Sequence, residues 1–215
     1  GGNNKVVASG SSRGIAISKS SMKFGNGNNK LTASASGDEG DGIDLSGPGS
    51  SMKFGGGNNK VVASGSSRGI AISNSSSMEY RNGNNKLTAS ASGDEGYGIQ
   101  LSGSGSSMEF GGGNNKVTAS GGLDGIGIFM IQADFMKFGD GNNKVTASAN
   151  GDQGYGIFLF DTNIEFGDGK DIVTGEALSG TGIFVGADSL IATGFGNDTI
   201  NAVSYTHLTL PTSYA

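Results

Sequence analysis

The chain has 215 residues, of which 42 are glycine, 2 proline and none cysteine or tryptophan, with a formal net charge of −5. Glycine near one fifth without a three-residue period excludes collagen, and 34% hydrophobic residues are too few for a thick globular core. The absence of cysteine excludes a disulfide framework or thiolate metal site, the one histidine, His207, nearly excludes histidine-based catalysis, and no apolar run is long enough for a membrane-spanning helix.

The chain opens on GGNNK, a turn that sets the period of the whole sequence. GNNK recurs at Gly2, Gly27, Gly57, Gly83, Gly113 and Gly141, then degenerates to GKDI at Gly169 and GNDT at Gly196. The apolar residue after it forms a column: Val6, Leu31, Val61, Leu87, Val117, Val145, Val173 and Ile200. Successive members lie 25 to 30 residues apart, a repeat of about 28 residues seen nearly eight times.

Three short alternating stretches succeed one another in each unit. The first is Φ-x-A, as in Leu31/Ala33, with Ala8, Ala63, Ala89, Ala119 and Ala147 in the same column. The second is I-x-Φ, running from Ile15/Ile17 through Ile43/Leu45 and Ile128/Met130 to Ile183/Val185. The third is M-x-F, from Met22/Phe24 through Met78/Tyr80 to Ile164/Phe166. Apolar alternation this short predicts half-buried strands, and no segment carries a capped helical period. One unit cannot bury its apolar face alone, whereas stacked units make a continuous core. The expected fold is all-β: a parallel β-solenoid of roughly seven coils with three strands each, about 34 Å tall at one strand spacing per coil. The all-alanine column predicts a wall so close to its neighbour that only a methyl group fits.

The turns after the alanine column alternate. Short SGSSRG turns carry Arg13 and Arg68, while long acidic turns carry Asp38/Glu39 and Asp94/Glu95. Stacked one coil apart, like charges repel and alternating signs attract. The alternation therefore reads as a structural device, with cation binding at the acidic turns as the alternative.

The turn G-x-G-N-[N/D]-x-Φ-x, seen as GNGNNKLT at 25–32 and GDGKDIVT at 167–174, resembles the glycine-rich nonapeptide of repeats-in-toxin proteins. It is still more similar to the related bacterial repeats of about this length that join such a turn to a G-x-G-I strand. The resemblance covers residues 1–202. It implies a parallel β-roll that binds calcium between coils, and a location outside the cell or on its surface. Glycine allows close backbone approach at such turns, and carbonyls with a carboxylate suit hard Ca²⁺. The motif's aspartate is, however, asparagine at Asn4, Asn29, Asn59, Asn85, Asn115 and Asn143, and aspartate only at Asp171 and Asp198. Between the glycines the residues run Asn26, Gly56, Asn82, Gly112, then Asp140 and Asp168. Net charge shows the same trend: residues 1–107 hold 10 basic and 7 acidic side chains (+3), residues 108–202 hold 4 and 12 (−8). The expectation is a gradient, with metal-free asparagine ladders first and calcium held by Asp140, Asp168, Asp171 and Asp198 in the C-terminal coils.

Three outward columns remain. Lys5, Lys30, Lys60, Lys86, Lys116 and Lys144 come directly after the turn and stack into a cationic stripe, suited to an anionic glycan or other polyanion or simply to solvation. Threonine and serine columns beside it, from Thr32 and Ser34 onward, resemble the hydroxyl ladders of ice-binding solenoids. In the second stretch the outward residues run Ala16, Asp44, Ala71, Gln100, then Phe129, Phe158 and Phe184, with Ile131 and Phe160 beside them. That apolar patch predicts an interface, with a polysaccharide or another protein segment as its occupant. The acidic balance and scattered aromatics argue against nucleic acid. Acids and bases recur once per unit rather than gathering in one cluster, so no catalytic constellation is read. The GNGNNK and GDGK strings lack phosphate-loop spacing.

The expected function is a non-enzymatic extracellular scaffold or adhesin-type segment. The alternatives are a glycan- or ice-binding module, or the non-catalytic part of a polysaccharide-processing enzyme. Residues 203–212, VSYTHLTLPT, break with the preceding texture and look like a translated sequencing adapter. The repeat domain is accordingly expected to be 1–202, a fragment cut at both ends, with 203–215 non-native.

Overall fold

A computed structural model describes residues 2–204. Among them are 22 strands and no helix, arranged as three parallel sheets of eight, seven and seven strands. Each coil lays one strand in each sheet; the first coil uses Lys5–Gly10, Arg13–Ser18 and Ser21–Phe24. The sheets end at Thr199–Ser204, Thr181–Gly186 and Leu190–Ala192. This is a β-solenoid of about seven coils, three strands per coil, as the repeat predicts. The last strand of the first sheet takes in Val203 and Ser204, paired with Glu176 and Ala177. The rest of the adapter-like stretch, His207 included, lies outside the described residues.

The sequence columns are columns of the structure. Val6 pairs with Leu31, Leu31 with Val61, and Val117 with Val145, each beside an alanine pair. Unequal repeats do not disturb the register, because the extra residues sit in the turns. Ile15 still pairs with Ile43, and Ile43 with Ile70, although the turn before Ile43 is the longer one. The interior is filled one layer per coil, and Leu31, Ile43, Leu45, Met52, Val61 and Ile70 are completely buried. Along the third sheet Phe24, Phe54, Tyr80, Phe110, Phe138 and Phe166 stack with centroids 4.6–4.8 Å apart and planes within 6° of parallel. That separation is one strand spacing, so the backbone repeat itself sets the ring contact. The buried Tyr80 hydroxyl donates to Met78 Sδ at 3.4 Å, and burial pushes its pKa far up.

The alanine column and the glycine before each I-x-Φ stretch share one cause. A Cβ built on Gly127 would stand 2.6 Å from the Gly156 carbonyl oxygen, 2.6 Å from the Ser148 nitrogen and 2.9 Å from the Ala147 methyl. The first and second sheets therefore touch backbone to backbone at that corner, with methyl groups as the only spacers. At the GNN turn the constraint is conformational: Gly57 has φ +120°, a region that side chains disfavour.

Candidate functional site

The GNN turns stack into two asparagine ladders, of which the exposed one runs from Asn3 to Asn142, each Oδ1 accepting a backbone N–H of the next coil. The inner ladder uses the second asparagine of each turn, and Asn29, Asn59, Asn85, Asn115 and Asn143 are each 1% exposed. Asn85 shows the pattern. Its Nδ2 donates to Asn115 Oδ1 at 2.9 Å, to the Gly83 carbonyl at 3.0 Å and to the Arg81 carbonyl at 3.2 Å. Its Oδ1 accepts from the Nδ2 and the backbone N–H of Asn59, at 2.9 and 3.2 Å. Amide hydrogens thus occupy the space among the turn carbonyls where a cation would sit. These asparagine turns are closed by amide hydrogen bonds from one coil to the next.

The inner ladder changes chemistry at Asp171. Its Oδ1 accepts from Asn143 N and Nδ2 at 2.8 and 3.0 Å. Its Oδ2 is buried and has no hydrogen-bond partner. In this side chain an oxygen replaces the amide nitrogen that donates in every preceding coil. Burial pushes its pKa up, the Asn143 hydrogen bonds oppose the rise, and the negative Asp198 adds to it. Asp198 Oδ1 accepts the Asp171 N–H at 2.9 Å.

Asp140 and Asp168 belong elsewhere, on the exposed outer side of the turn. Asp140 Oδ1 accepts from Asp168 N at 3.1 Å and Asp168 Oδ1 from Phe195 N at 3.0 Å. Asn26 and Asn82 make the same bond to Gly56 N and Gly112 N, both at 3.0 Å. The four expected metal ligands therefore form two stacked pairs rather than one cluster. Among the described residues no group of three or more His, Asp or Glu is placed to hold a metal. Within the inner pair, the partnerless Asp171 Oδ2 lies one coil from Asp198.

The arginine turns pair differently from the pattern expected. Arg13 Nε meets Asp44 Oδ2 at 2.7 Å. Arg68 holds Asp41 with two bonds, at 2.7 and 3.0 Å, and reaches Gln100 Oε1 at 3.1 Å. Both arginines thus grip the second coil from opposite sides, through aspartates of its GDGIDLS strand rather than through Asp38 and Glu39. The clamp belongs to the second coil alone, its two aspartates 2% and 7% exposed, and Asp38, Glu39, Asp94 and Glu95 join none of the ion pairs among the described residues. Burial raises the Asp44 pKa, Arg13 opposes it, and Asp41 and Arg68 act more weakly.

The outer face of the first sheet is exclusively cationic for six strands. Lys5, Lys30, Lys60, Lys86, Lys116 and Lys144 are exposed and paired lysine to lysine. None takes part in the four ion pairs among the described residues. Beside them Thr88, Thr118 and Thr146 stack in register, as do Ser90, Ser120 and Ser148, all half-buried. The column ends where Lys144 pairs with Ile172 and Ser148 with Glu176.

The aromatic patch of the second sheet also forms a ladder. Phe129 stacks on Phe158 at 5.4 Å and Phe158 on Phe184 at 4.8 Å, with planes 27° and 17° apart. Tyr97 extends the row to Phe129 at 5.0 Å, and Tyr155 packs edge-on to Phe158. Neither tyrosine was among the expected members, although both occupy the position just before a G-I pair. Ile131 is half-buried beside the row, while Phe160 and Phe184 are 40% and 38% exposed. The ring faces are turned to one another, so the patch presents ring edges outward. A sugar stacking on Phe129 or Phe158 would find both ring faces covered by neighbouring rings.

Comparison with family models, curated protein sequences and solved structures finds no match to this chain.

Proposed function

We propose that this chain is a segment of a secreted or surface-exposed repeat protein of the glycine-rich repeats-in-toxin kind, acting without catalysis as a rigid scaffold or spacer. The observation that carries the reading is the unbroken run of ladders along the coils. The inner amide ladder links each coil from Asn4 to Asp171 to the next, and the aromatic stack spans Phe24 to Phe166. A structure in which each repeat bonds only to its neighbours gains stiffness along its axis without needing a thick core. The absence of catalysis is inferred from periodicity: lysines and turn amides recur coil by coil instead of gathering in one cluster, and each inner-ladder amide bonds to its counterpart in the next coil.

Calcium enters this reading at the C-terminal coils alone. Asp171 and Asp198 would hold it, with backbone carbonyls of the 167–171 turn completing an oxygen shell. It would supply the positive charge that the partnerless carboxylate oxygen lacks, and so tie the last coils together. Location outside the cell rests on the resemblance of the GxGN[N/D] turns, with which a cysteine-free chain is compatible.

The test uses the absence of native cysteine. Dyes on cysteines introduced at Asn3 and Asn197, at opposite ends of the coil stack, report one distance by energy transfer. A rigid spacer gives a single narrow distribution near the height of seven strand spacings, about 34 Å. A broad distribution under native conditions would sink the reading.

A further inference from the structure

We propose that the outer face of the first sheet binds a linear polyuronate, a polysaccharide with one carboxylate per sugar ring, laid along the solenoid axis with its carboxylates against the lysine column. This goes beyond the spacer reading and stands on different residues.

The first ground is charge segregation. The protein carries a net −5, yet the six strands from Lys5–Gly10 to Lys144–Ala149 contain six lysines and no acidic residue. The pairing is lysine on lysine at every step. The four ion pairs of the described residues neutralise charge on the other two sheets and leave this column alone. A row of uncompensated cations one strand spacing apart, roughly 5 Å, is complementary to a linear polyanion whose charges recur at multiples of that spacing.

The second ground is the period. A pyranose ring linked through opposite corners is close in length to one coil rise, and because successive rings turn about the chain axis, a polyuronate sets a carboxylate against every second or third lysine along the straight column. The flanking threonine and serine columns offer hydroxyls of the same period to the sugar hydroxyls. Nucleic acid fits less well. Single strands are held on aromatic platforms, and the outward residues of this face are lysine, threonine, valine and serine. Duplex phosphates wind around an axis instead of tracking a straight column.

The experiment titrates the full chain, in chelator so that calcium bridging plays no part, with polygalacturonate, with its fully methyl-esterified form and with oligothymidylate. The expected result is binding of polygalacturonate that weakens steeply with salt, and little binding of the other two. Lys30→Gln with Lys60→Gln and Lys86→Gln should weaken it about tenfold or more. Lys23→Gln with Lys53→Gln and Lys137→Gln, which removes equal charge from the third sheet, should weaken it far less. No binding at low salt overturns the proposal. So does equal binding of the ester or of oligothymidylate, or equal loss in the two triple variants. Circular dichroism of each variant verifies that the solenoid is intact. A negative result leaves the end-to-end distance, and with it the spacer reading, untouched.

Discussion

Asp171→Asn should stabilise the C-terminal coils when calcium is withheld. In the wild-type chain the buried Asp171 Oδ2 has no partner, where Asn143 Nδ2 donates to Gly139, Gly141 and Asp171 at 3.0 Å each. An asparagine at 171 would restore donors toward the carbonyls of Gly167 and Gly169 and toward Asp198 Oδ1. Relieving one partnerless buried acceptor is worth about 1–3 kcal/mol, and each hydrogen bond gained adds about 1 kcal/mol net. Part of that gain is lost to the restricted geometry of two hydrogens shared among three acceptors. A figure of about 2 kcal/mol is a cautious sum, and it corresponds to roughly 30-fold slower amide exchange through local opening. Repeat arrays open from their ends, so a local readout is more informative than a global melting curve. The amides to monitor are Asp171 N–H, bonded to Asp198, and Ile172 N–H, bonded to the Asn143 carbonyl at 2.9 Å. Unchanged or faster exchange of both in chelator would refute the ladder argument. Added calcium separates the remaining ideas: the wild-type chain should gain protection at these amides and the variant should not. An equal response of both would remove Asp171 from the calcium seat.

The clamp and the corner each carry a further expected outcome. Asp44 has a folded-state pKa raised chiefly by burial, so its favourable contribution is complete below its ordinary value of 3.8 and is lost as pH rises through the folded value. Asp44→Asn should therefore raise the urea midpoint near neutral pH and leave it unchanged in acid; a lower neutral midpoint would mean that the Arg13 ion pair outweighs the burial. Gly127→Ala forces a methyl to within 2.6 Å of two backbone atoms, and overpacking of that kind costs about 1–3 kcal/mol. Gly112→Ala, whose added methyl meets nothing nearer than the Asp140 carbonyl oxygen at 3.5 Å, should stay within about 0.5 kcal/mol of wild type. Equal urea midpoints for the two variants would contradict the close approach of the first and second sheets.

A chain that repeats on itself reveals much of its architecture in one dimension. The column Val6, Leu31, Val61 is both a sequence period and a set of register partners, because coil stacking turns a step of one repeat into a step of one strand spacing. Strand positions, inward faces, the alanine wall and the asparagine ladder were legible for that reason. Whatever departs from translation along the axis was not. Arg13 and Arg68 carry long side chains whose choice of Asp44 and Asp41 over Asp38 and Glu39 depends on how the turns cross. The tilt of Phe129 and Phe158, which hides their faces and shows their edges, is set by packing on a neighbouring ring. The motif placed aspartates at 140, 168, 171 and 198 but could not tell the exposed side of the turn from the buried inner ladder, since all four lie in the same short turns. That difference leaves one carboxylate in solvent and another buried with an oxygen unpaired, and it exists only once the coils are stacked.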